Sequence, residues 1–154
     1  MKRIITAAAI MAAMCSTAYA ESGKGVGSWS DQPHDEFALQ GGDSYNMSRS
    51  KQVWFSENVP KLNNISNDCF TSWVAVKDSD TFFGRGWCTG IDAEGDVIWS
   101  DFDMGAEGGV WRIFGGTGKF ENERGGGTWA WSTFHPDGLR GTWTWDYDSE
   151  WKGM

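Results

Sequence analysis

The residues in this sequence best placed to do chemistry are charged side chains that alternate with aromatic ones. Arg85 keeps step with Phe83 and Trp87, Asp101 and Asp103 continue the step of Trp99, and Arg112 keeps step with Phe114, offset from Trp111 and Ile113. In an extended chain, residues two apart share a face. If the Trp99 face turns inward, Asp101 and Asp103 stand in or at the mouth of an aromatic cavity. Desolvation there raises a carboxylate pKa, and Arg85 is the available counter-ion. Such a group could move a proton on a bound substrate, which makes Asp101, Asp103 and Arg85 the candidate catalytic residues. The competing reading leaves both aspartates in solvent near the end of their strand, where charged side chains usually lie. Glu107, in the Gly-rich connection that follows, is a further candidate for the rim.

Other patterns look chemical and lack a necessary part. Gly116-Thr117-Gly118-Lys119 resembles a fragment of a phosphate-binding loop, but Ile113 stands where the first Gly belongs and Phe120 where a magnesium-binding hydroxyl belongs. Asp92, Glu94, Asp96 and Asp103 fall in a calcium-loop register, yet Gly95 comes one residue early and Val97 takes the turn position, so the segment reads as a solvated acidic hairpin. Neither Gly84-Arg85-Gly86 nor Gly116-Thr117-Gly118 continues into a dinucleotide fingerprint. No Gly-x-Ser-x-Gly turn occurs, and His34 and His135 are the only histidines. They lack zinc-ligand spacing with the cysteines. The sequence therefore calls for no metal and no cofactor.

The chain that must position these residues has 154 residues, a formal charge of −8, 21 Gly and 3 Pro, and eleven Trp against three Tyr. That length holds one core, and a pI near 4.6 argues against nucleic acid, whose affinity is cation-driven. Met1-Lys2-Arg3, the apolar run Ile4 to Ala13 and Ala18-Tyr19-Ala20 together read as a signal peptide over residues 1–20. A lipoprotein site at Cys15 would lack the usual small residue before it, because Met14 stands there. Cleavage after Ala20 leaves no membrane span and implies a periplasmic or secreted protein. Cys69 and Cys88 then remain as an even pair in an oxidising compartment, which reads as a disulfide, the alternative being two buried free thiols.

Residues 21–50, rich in Gly, Ser and Asp, read as a flexible lead-in with one short ordered segment around Phe37 and Leu39, and the folded domain is expected over 51–154. Strand-like runs follow at Gln52 to Glu57, Cys69 to Lys77, Thr81 to Ile91, Val97 to Asp103, Val110 to Phe114, Thr128 to Phe134 and Leu139 to Tyr147. Gly95 and Gly138 supply the positive φ that hairpin tips need. Short antiparallel strands at this spacing imply an all-β protein, a barrel of about eight strands or a sandwich. Trp129 and Trp131 share one face of their strand, and Trp143, Trp145 and Tyr147 share one face of the next. Alternation does not say which face is inside. Indoles turned inward fill the barrel or line a pocket, whereas indoles turned outward expose a patch that needs a partner or a membrane surface.

The stretch GRGWCTGIDAEGDVIWSDFDMG, followed by WRIFGGTGKFENERGGGTW, resembles the allene oxide cyclase-like barrels, a fold shared with plant dirigent proteins. The residues that carry the likeness are Gly115, Gly116, Thr117, Gly118, Lys119, Phe120, Gly125 and Gly127, with Cys69, Cys88 and the Asp92 to Asp96 hairpin matching small secreted bacterial members. It spans about Cys69 to Trp145. Glu121-Asn122-Glu123-Arg124 departs from the small-residue turn usual there, and the plant cyclase's catalytic residues have no residue-by-residue counterparts here. The resemblance implies the barrel and leaves the activity open.

The expectation is an exported barrel that binds a small apolar or aromatic molecule through Trp87, Trp99, Trp129, Trp131, Trp143 and Trp145. It is either a cofactor-independent isomerase, cyclase or lyase, or a non-enzymatic dirigent-like or ligand-binding envelope protein. An oligomer is compatible with either reading. A third reading is carbohydrate binding, which requires Trp143 and Trp145 on an exposed flat face.

Overall fold

The computed structural model describes residues 20–153. The leader expected over 1–20 therefore lies almost wholly outside the described residues. Nine strands follow one another: β1 (Ser22–Asp31), β2 (Asp35–Ala38), β3 (Ser44–Ser56), β4 (Ile65–Ala75), β5 (Phe82–Ile91), β6 (Val97–Gly105), β7 (Gly108–Gly116), β8 (Gly125–Phe134) and β9 (Arg140–Asp148). All pair antiparallel. Strands β3 to β9 run as a meander, and β1 closes the ring by pairing with β9 on one side and β3 on the other. The result is the closed eight-strand barrel, with β2 as an additional strand outside the ring on the first residues of β3. Closure leaves the ring without an unpaired edge.

The seven strands read from the sequence all occur, with shifted bounds: β3 begins eight residues earlier than expected, β4 begins four earlier and ends two earlier, β6, β7 and β8 are longer, and β5 and β9 differ by one residue at their ends. The flexible lead-in does not occur: residues 21–50 contain β1, β2 and half of β3. They carry no apolar period because the inward positions of β1 are held by Gly25 and Gly27, opposite Trp145 and Trp143 of β9. A Cβ at either glycine would overlap the facing indole ring. The indoles therefore supply the volume that β1 omits, and a strand with no apolar side chain at those positions can still wall a core. On β3 the inward side chains Asn46, Ser48 and Ser50 are polar and buried, which again hides a strand from a hydrophobic scan.

The two ends of the barrel differ. At one end Val59, Leu62, Ile65, Ile98 and Phe120 are wholly buried and form an apolar plug. Two short 3-10 turns, Pro60–Leu62 and Gly118–Phe120, carry Leu62 and Phe120 into it. Higher up, Trp54, Trp111, Trp143 and Trp145 pack edge to face, with ring centroids 5.3 to 6.1 Å apart, the arrangement the aromatic quadrupole favours. Cys69 and Cys88 lie opposite each other on β4 and β5, buried and bonded. Among the described residues, no helix is long and apolar enough to cross a membrane.

Candidate functional site

Above the plug the barrel is hollow. A cavity of about 190 Å³ opens at the end where β1, β4, β6 and β8 finish. Trp29, Trp54, Trp129, Trp131 and Trp143 form one wall. Asp31, Ser50, Gln52, Thr71 and Ser100 form the other, and Trp73, Phe82, Met104 and Phe134 ring the mouth. Each wall residue is an inward position of its strand, so period-two alternation and barrel closure together aim these side chains at one space. The polar wall comes from β1, β3 and β4, with Ser100 added from β6, and the aromatic wall is built mainly from β8 and β9.

The indole N–H groups divide into two kinds. Trp129 donates to the Asp103 carbonyl oxygen at 3.1 Å and Trp131 to that of Gly105 at 3.0 Å, which fixes both rings. The indole nitrogens of Trp29 and Trp54 are buried and find no acceptor in the protein. A buried donor without an acceptor costs about 1–3 kcal/mol, and both of these residues border the cavity.

Asp31 was not among the expected site residues. It lies two positions after Trp29 on β1, opposite Ser50 of β3, and it too faces the cavity. Burial pushes its carboxyl up to about 6, against a smaller lowering by the Ser50 hydroxyl. Its folded-state pKa thus exceeds the ordinary aspartate value. The stability it contributes is complete below about pH 3.8 and is lost as the pH rises through 6. Asp31→Asn should accordingly stabilise the protein at about pH 7.5, on the order of 2 kcal/mol, and have little effect near pH 3.5. Urea unfolding at the two pH values measures this, and equal effects at both would contradict the assignment.

The expected catalytic residues stand elsewhere. Ser100 and Phe102 are the inward residues of β6, so Trp99, Asp101 and Asp103 face out, and Trp99 is 40 % exposed. Arg85 Nε lies 2.7 Å from Asp103 Oδ1, and Arg112 bridges Asp101 at 2.7 Å and Asp103 at 3.2 Å. The Arg85 hydrogen bond, with Arg112 nearby, holds the Asp103 carboxyl below the usual range, the reverse of the raised acid that catalysis in a cavity would use. The four residues make an ion-pair lattice across β5, β6 and β7 on the outer surface. Glu107 is exposed in the turn between β6 and β7 and does not line the cavity.

The six tryptophans expected to bind ligand separate in the same way. Trp129, Trp131 and Trp143 line the cavity. Trp145 is buried against Trp111, with centroids 5.7 Å apart, and contributes to the core without bordering the space. Trp87, 47 % exposed, and Trp99 lie on the outside, where Trp87 pairs across strands with Phe70. The cavity tryptophans not among those six are Trp29, Trp54, Trp73 and Trp111.

The acidic hairpin Asp92 to Asp96 has its three carboxylates close together. The Lys119 ammonium pairs with two of them, 2.5 Å from Asp92 and 2.9 Å from Glu94, and the Lys119 backbone N–H donates to the third, Asp96. The Gly115 to Phe120 turn therefore locks this hairpin and delivers Phe120 to the plug, a structural use of the motif. The chain matches no family model, no curated protein and no solved structure.

Proposed function

We propose that this protein is an exported barrel that binds one small, mainly apolar or aromatic molecule in its interior. The observation that carries the reading is the indole-walled cavity of about 190 Å³, open at one end and plugged at the other. An apolar cavity of roughly 150 Å³ takes up benzene, so this space suits a single ring with a few substituents. Export is supported by the leader-like residues 1–20 and by the Cys69–Cys88 bond, which suits an oxidising compartment.

Binding is favoured here over an isomerase, cyclase or lyase. Asp103 and Arg85 do not line the cavity, and Asp101 borders it with its carboxylate turned to Arg112 at 2.7 Å, which leaves Asp31 as the carboxylate that faces the space. The sugar-platform reading needed Trp143 and Trp145 exposed, and they are 8 % and 3 % exposed.

Titration of the tryptophan emission with single-ring phenols and aryl ketones tests the proposal. Saturable quenching with Kd between about 10 μM and 1 mM is expected for ligands of this size. Compounds with two fused rings should bind at least tenfold more weakly. The Asp101→Asn/Asp103→Asn double variant should bind as the parent does. The absence of saturation with every single-ring compound, at millimolar concentration, would sink the reading.

A further inference from the structure

We infer that the ligand is an organic cation, a small substituted ammonium ion whose charge pairs with Asp31 while its apolar part lies against the indoles. The inference rests on the cavity being a ligand site and adds the charge of what enters it. Among the described residues lining the cavity, Asp31 is the one charged side chain turned into it, because the Asp101 carboxylate is held outside by Arg112. No Lys, Arg or His lines the space. An anionic ligand would meet a carboxylate with nothing to offset either charge, and a neutral one would leave Asp31 partly buried without a cationic partner. A cation pairs with it and gains further from the electron-rich faces of indole rings, the best aromatic partners for a positive charge. The acidic chain, −8 overall, also concentrates cations around the molecule.

The basic groups near this end are occupied elsewhere. Arg49 and Lys51 flank Ser50 on β3, face outward and pair with Asp68 at 3.6 and 2.7 Å. Arg140 and His135, beside the β8 to β9 turn, both pair with Asp137 at 2.9 Å. His34, after β1, stacks edge-on against Trp73 at the mouth, with ring centroids 5.4 Å apart. Asp31 thus has no cationic partner from β1, β3, β9 or the adjoining turn. Burial has already raised its carboxyl to about 6. Cation binding must then draw on its ionised form and weaken as the pH falls through that value.

Phenyltrimethylammonium and tert-butylbenzene have the same shape and differ by one positive charge, which makes them the probes. Calorimetric or fluorescence titration of the full mature chain at about pH 7.5 should show the cation binding about tenfold tighter or more. The preference should fade toward pH 4.5. Asp31→Asn should bind both compounds alike at either pH, and its expected gain in stability at neutral pH separates lost pairing from lost folding. Asp103→Asn, which removes a carboxylate from the outer surface, should keep the preference. Equal affinities in the parent, or a preference that survives in Asp31→Asn, would overturn the cationic assignment and leave the small-ligand reading standing. Failure of both probes and of the neutral phenols to bind would remove both.

Discussion

Trp54→Ala is expected to destabilise the barrel by about 3–5 kcal/mol, the upper range for truncating a buried aromatic. Trp87→Ala should cost no more than about 1 kcal/mol. Trp54 is 4 % exposed, and its ring meets Trp111 at 5.3 Å and Trp143 at 6.1 Å, both edge to face. Its N–H has no acceptor, so no hydrogen bond is lost. The cost is the transfer of the indole and the void it leaves. That void would join a cavity that is already there, and backbone pairing of β3 to β1 and β4 holds the wall in place, so little collapse can offset it. Trp87 stands 47 % exposed on the outer face, between its cross-strand neighbours Phe70 and Asp101. Urea unfolding of both variants measures the difference. A cost for Trp54 below about 1.5 kcal/mol would mean that the barrel repacks and holds no rigid cavity. The enlarged Trp54→Ala cavity should also admit the two-ring compounds that the parent excludes.

That contrast turns on which face of each strand is inside, the part least legible in the sequence. Alternation at Trp129, Trp131, Trp143 and Trp145 located β8 and β9, and Gly95 and Gly138, with φ of 92° and 68°, marked two hairpin tips. Alternation is symmetric, however, and on β6 it offered Trp99, Asp101 and Asp103 against Ser100, Phe102 and Met104. The large aromatic and the two carboxylates drew attention to the wrong set for a cavity. A discriminating signal was present in the neighbouring strands. The residues in step with Trp99 meet Arg85 and Arg112, opposite charges suited to a wet surface. Phe102 instead meets Gly86, where a Cβ would strike the phenyl ring. A bulky ring facing a glycine across two strands is an interior pairing.

Asp31 escaped for a different reason. It ends β1, whose inward positions Gly25 and Gly27 yield no hydrophobic signal, so β1 reads from sequence as part of a flexible lead-in. The one local hint was Trp29 followed two residues later by Asp31, the same aromatic-then-acid step that attracted notice at Trp99. Physical context decides between them. Asp103 is flanked by two guanidinium groups and is stabilised as an anion, whereas Asp31 has a hydroxyl and a burden of desolvation. Asp31 is partly buried and faces the cavity, whereas Asp101 and Asp103 are held by guanidinium groups in the outer lattice.

Breaking the Cys69–Cys88 bond should lower stability by about 3 kcal/mol. The two residues are 19 apart in sequence, and in the chain-entropy model a loop of that size removes about this much freedom from the unfolded state. For a domain of this length, such a loss corresponds to a fall in Tm of roughly 10 °C. The bond joins β4 to β5 on the inward face, above the plug and beside Gly86 and Gly90, which leave much of β5's interior to other side chains. Thr71, the next inward residue on β4, lines the cavity. Reduction should therefore loosen the polar wall before it unfolds the barrel, and ligand affinity should fall while the strands persist by circular dichroism. Cys69→Ala/Cys88→Ala separates staple from packing: it should melt with the reduced parent and be insensitive to reductant. If reductant leaves the parent's Tm unchanged, the bond adds nothing to the fold, and stability rests on the indole core alone.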